Sequence, residues 1–137
     1  MKLIITTIVS ALLASSLFAG NTEQSKLASD MRTMLSSVVD MQRAGFYSNR
    51  TGVQDSANRL ISSLDSLITT DATTYLPKEQ KNAGKFAKKR AKMIKMYAED
   101  LIESVENNDF EEAIEDYSQI LRQCTSCHSR IRSRAWK

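Results

Sequence analysis

From residue 22 onward the apolar positions recur at steps of three and four, the repeat of one helical face. Leu27, Met31, Met34, Val38 and Met41 form the first such stripe. It predicts a helix over residues 22–44, capped at Thr22 or Asn21 and leaving through Gly45 and the Phe-Tyr-Ser-Asn-Arg that follows. A second stripe, Val53, Ala57, Leu60, Leu64 and Leu67 or Ile68, predicts a helix over 51–69. The segment Thr-Thr-Asp-Ala-Thr-Thr-Tyr-Leu-Pro then breaks the period and sets Pro77 where a first helical turn tolerates it. The third helix should continue to about residue 107, with Ala83, Phe86 or Ala87, Ile94, Tyr97 and Leu101 inward. Lys81, Lys85, Lys88, Lys92 and Lys95 form a separate stripe turned to water. After Asn107-Asn108, the pattern Asp109-x-x-Glu112 ahead of Ala113 and Ile114 is a capping box that opens the last helix. That helix begins acidic (Glu111, Glu112, Glu115, Asp116) and ends basic (Arg130, Arg132, Arg134, Lys137), as its dipole favours. Strand signals are scarce. Four amphipathic helices on short connections predict an all-α, antiparallel four-helix bundle.

Residues 1–19 read differently: Lys2 followed by an apolar, Ser- and Thr-interrupted run ending at Ala19 is the pattern of a secretory signal peptide. The run is short for a membrane span, although an uncleaved anchor is the alternative. Leu17 fits the small-x-small cleavage rule weakly, which leaves the cut approximate. The expected division is thus a signal peptide at 1–19 and one domain at 20–137. Export to the periplasm follows, with no stable membrane insertion after cleavage. The chain carries a formal charge of +3 and Lys2 is the one charge in its first nineteen residues, so the domain has no strong basic excess. Nucleic-acid binding is not expected.

The two cysteines of the chain lie three apart, in Cys124-Thr125-Ser126-Cys127-His128. A disulfide between them would close a very small loop and stabilise little. A thioredoxin-like pair belongs at a strand-to-helix junction, absent here. Zinc asks for about four ligands, and the motif offers three with no second histidine anywhere. An inert buried pair leaves the adjacent histidine unexplained. Two thiols and an imidazole at this spacing are the pattern of covalent c-type haem attachment, because positions three and four apart share a helical face. One covalent haem c is expected, with Cys124 and Cys127 on the porphyrin edge and His128 on the iron. As His128 is the sole histidine, the sixth iron position falls to Met, Lys, water, a diatomic gas or nothing. In an antiparallel bundle the start of the first helix neighbours the end of the last, which makes Met34 the first candidate ligand and Met31 the second. Met41 lies too far along, and Met93 and Met96 are weaker candidates. Simple packing is the competing reading for these methionines. Arg90 falls within an apolar stripe, where a haem propionate or a reach to solvent would accommodate its charge.

The export signal, the four helices and the C-terminal position of CTSCH resemble class II cytochromes c, the group of cytochrome c′ and its low-spin relatives. That family often follows its motif with an aromatic residue and an arginine; Ile131 and Arg132 stand there here. The resemblance implies that Arg132 helps bind the haem. It also implies a distal position on the first helix, a methionine in low-spin members and an apolar residue over five-coordinate iron in cytochrome c′. The family's arginine four residues before that position is replaced here by Asp30. Two functions compete: an electron-transfer protein with His128 and Met34 on the iron, and a five-coordinate protein binding NO or CO. No carboxylate pair, nucleophile constellation or phosphate loop indicates an enzyme. Redox partner proteins with acidic faces are the expected partners, and a homodimer is a further option drawn from the relatives.

Overall fold

A computed structural model describes the backbone of residues 4–71, 74–76 and 78–131, and side chains from residue 22 apart from 23, 78, 79 and 81. It is an all-α, four-helix bundle: α1 spans Ile4–Phe46, α2 Arg50–Ser63, α3 Asp65–Thr69, α4 Gly84–Glu106 and α5 Phe110–Ile131. Helix α1 packs along α2, α2 along α4 and α4 along α5, with short α3 extending α2 against α4. The remaining neighbours, α1 and α5, are tied where the Tyr117 hydroxyl donates to the Val38 carbonyl at 3.3 Å.

The predicted stripes become the core. Met34, Met41, Val53, Ala57, Leu60, Leu64, Leu67, Ile94, Leu101 and Ile120 are buried together. Leu27, Met31 and Val38 pack half-buried against them. Alanines set the close approach of α4: Ala87, Ala91 and Ala98 lie on its inner face, and Ala57 faces them from α2. Small side chains let helix axes draw together, a contribution that hydrophobic periodicity alone understates.

Several expected boundaries shift. The first helix does not start at a cap near Thr22, since α1 already runs from Ile4. Its exit turns at Ser48, which takes a left-handed φ of 51°, while Gly45 stays helical. The second predicted helix arrives as two, α2 and α3, because the turn tightens at Leu64, whose N–H reaches the carbonyls of Ile61 and Ser62. Before α4 comes a 3₁₀ turn, Lys78–Ala83, in place of the regular first turns expected after Pro77, which itself lies outside the described residues. Between α4 and α5, Asn108 has φ 61° and Asp109 Oδ1 accepts the Glu112 N–H at 3.1 Å, one half of the predicted capping box, while the Asp109 N–H donates to the Ser104 carbonyl at 2.9 Å and not to Glu112. On α5 itself, Asp116 is buried against Ser104 and not part of the solvated acidic turn, whereas Ile114 is exposed. Among the described residues no helix is long and apolar enough to cross a membrane.

Candidate functional site

The motif lies in the last two turns of α5, where residue spacing fixes which neighbour each side chain meets. Ile120, Gln123 and Cys127 follow one another on the side turned to α4, as the Gln123 and Cys127 contacts show. Gln123 accepts a hydrogen bond from Arg90 Nη1 at 2.5 Å, and the same guanidinium acts electrostatically on Cys127. Tyr117 and Cys124 share the side turned to α1 and pack on the core. The two thiols are both half-buried and unpaired with one another. Burial, with the neighbouring Cys127 in second place, pushes the Cys124 thiol up to about 11. Burial also raises the Cys127 thiol, opposed by the Arg90 charge. Both groups are therefore neutral thiols near pH 7. His128, half-buried, stands one residue beyond.

Three side chains complete this end of the bundle. Tyr75, from the loop between α3 and α4, is buried beside Lys26, Leu27, Ser66 and Thr70. Its phenol is raised by burial first, then by the charge that Cys127 takes on once deprotonated at high pH and by that of Asp71, which places it within electrostatic reach of the motif. The Phe86 ring meets two guanidinium groups, that of Arg90 at 4.8 Å and that of Arg130 at 4.4 Å from the ring centre. Arg90 is thus engaged on several sides at the α4–α5 contact and does not simply extend to solvent. Even so, its Nε is buried without a partner, and so is the Tyr75 hydroxyl. Buried donors left unpaired are costly, and these two belong to side chains within electrostatic range of Cys127.

Met34 is buried in the core and Met31 half-buried against it. From the Tyr117–Val38 tie, seven residues along α5 reach Cys124 and seven back along α1 reach Met31, each step rising about 1.5 Å. Met31 is therefore level with Cys124, and Met34 stands about one turn further from the motif. Met96 is exposed, and Met93 lies against Arg90 with its sulfur 4.0 Å from Nη1. Arg132 lies outside the described residues. Among those described, no three His, Cys, Asp or Glu side chains converge as a set of metal ligands. Sequence reading missed Tyr75 and Gln123: the first stands in an aperiodic loop, the second is one glutamine on a polar helix end.

A cavity of about 470 Å³ opens at the opposite end of the bundle, between Met41, Phe46, Val53, Leu101, Val105, Phe110 and Tyr117. The motif does not line it. The fold and motif define a helical bundle whose C-terminal Cys-x-x-Cys-His could attach haem. The chain matches no family model, no curated protein and no solved structure.

Proposed function

We propose that this protein is an exported c-type cytochrome carrying one covalent haem, and that it transfers electrons. The observation that carries the reading is the motif's setting: two half-buried thiols and His128 on one helix end, with the unpaired buried donors Tyr75 Oη and Arg90 Nε on side chains within electrostatic range of Cys127. A haem fits this donor set, since it offers two vinyl groups to thiols, iron to an imidazole and two carboxylates to buried donors. When bound, it supplies a one-electron Fe(III)/Fe(II) couple.

Each protein group then has a defined task. Cys124 and Cys127 would hold the haem through thioether bonds, each formed by addition of the S–H across one vinyl double bond, which needs no oxidant. His128 would ligate the iron through its imidazole. A methionine of α1, Met34 or Met31, would supply the second iron ligand in the electron-transfer reading, where a thioether would favour the ferrous state. Arg90 and Tyr75 have donors to spare for the carboxylates, and Arg132 belongs to the same proposal by resemblance. The periplasm is the proposed location.

The direct test is acid-acetone extraction of the denatured, haem-loaded protein. Haem absorbance should stay with the polypeptide, and should be lost from a Cys124→Ala/Cys127→Ala variant; release of haem from the unmodified chain would overturn the reading. Ferrous optical bands unchanged by CO support the electron carrier. Prompt CO binding would favour the five-coordinate alternative.

A further inference from the structure

The charges of the α4–α5 hairpin are segregated by end. Helix α4 carries Lys85, Lys88, Lys89, Arg90, Lys92 and Lys95 in its first half, then Glu99, Asp100, Glu103 and Glu106. Helix α5 opens with Glu111, Glu112 and Glu115 and reaches Arg122 and Arg130 beside the motif. The Arg90–Gln123 and Phe86–Arg130 contacts hold the two basic stretches alongside each other. All of these charged side chains are exposed except Arg90.

Helix stability does not account for this arrangement. The charges of α5 complement its own dipole, but those of α4 oppose it: cations crowd its positive N-terminal end and carboxylates its negative C-terminal end. Nor do the helices neutralise each other. Antiparallel packing places cations beside cations and carboxylates beside carboxylates. The salt bridge Lys95–Glu99 lies within α4 and does not join the two helices. A solvated face needs no such separation of sign, whereas a surface that selects and orients an oppositely charged partner does.

We infer that the basic end of α4 and α5 is a docking surface for an acidic redox protein, oriented by this charge separation so that the partner meets the end of the bundle bearing Cys124 and Cys127. The inference rests on the haem reading above and adds the partner's chemistry and its point of contact. An anionic membrane surface is the competing occupant. A protein is favoured because the basic stretch is half of a dipole, and its acidic other half would face away from a partner of matching size while a charged membrane would also repel it.

Electron transfer to the haem-loaded full chain from a reduced plant-type [2Fe–2S] ferredoxin, an acidic donor, tests this by stopped flow. The second-order rate constant should fall about tenfold between low and high salt. In a Lys88→Glu/Lys92→Glu variant it should be about tenfold lower at low salt and nearly independent of salt. That reversal suits the dipole of α4, so the fold survives it. A Glu103→Lys/Glu111→Lys control at the other end should change the rate less than about twofold. A flat salt profile in the unmodified protein, equal slowing by both variants, or tighter binding to phosphatidylserine vesicles than to the ferredoxin would overturn the docking surface. Haem release on extraction would overturn the underlying reading and this one together, whereas a haem-bearing protein with a flat profile fails on docking alone.

Discussion

Met34 and Met31 differ in burial and in level along α1, and those two quantities point opposite ways. Met34 is the better packed, and Met31 stands nearer the level of the motif. Replacing the true ligand by Ala should convert low-spin ferrous bands to high-spin bands that respond to CO; replacing the other should lower stability by about 2–5 kcal/mol and leave the bands alone. Optical spectra of the two variants separate these outcomes. Asp116 and Asp30 make opposite demands on pH. Burial raises the Asp116 carboxyl, a hydrogen bond from Ser104 opposes this, and Asp100, Glu112 and Glu115 raise it further. Its stabilising share is full below the ordinary carboxylate range and is lost as pH rises through the folded value. Asp30 is desolvated too, but hydrogen bonds from Lys26 and Ser66 and the Lys26 charge hold it below its usual value. Its share is present above the ordinary carboxylate range and is lost as pH falls through the depressed value. Asp116→Asn should therefore raise Tm at pH 7 relative to the parent and close that gap near pH 3, while Asp30→Asn should lower Tm at pH 7. Thermal melts across pH check both signs.

Helix α4 is the element on which the site depends most. Its alanine face sits against α2, and its outer edge supplies Phe86 and Arg90 to the motif. Ala98 is fully buried there, so Ala98→Leu should overpack the contact and cost about 1–3 kcal/mol by denaturant unfolding. An unchanged midpoint would mean that α4 can move outward freely. The entry to α2 is similarly tight. A Cβ on Gly52 would come within 2.7 Å of Asn49 Nδ2, on the side chain that caps this helix through the Gly52 N–H. The stripes on α1, α2 and α4 were readable because apolar residues at helical spacing have few other places to go. Ala91, Ala98, Ser37 and Asp116 were not, since small and polar residues carry little burial signal until a neighbouring helix covers them.

Across the whole molecule, the hairpin α4–α5 brings like charges together at both ends, so screening should help the fold. Raising salt from low to high ionic strength should increase Tm by about 3 °C, followed by far-UV circular dichroism. A fall in Tm would show that the exposed pairs Lys26–Asp30 and Arg59–Asp40 outweigh the repulsion, against the small value such pairs usually have.

The motif Cys124-x-x-Cys127-His128 and the helical periods that make a bundle were determined by the sequence itself, because both depend on spacing within one helix. Which groups gather around the thiols was decided only in three dimensions. Tyr75 comes within electrostatic range of Cys127 from a loop some fifty positions earlier, Arg90 crosses from α4 to Gln123, and the charges of two helices add to one basic end. Such meetings depend on the register between helices, which is set by how their faces pack and leaves no periodic mark in any one of them.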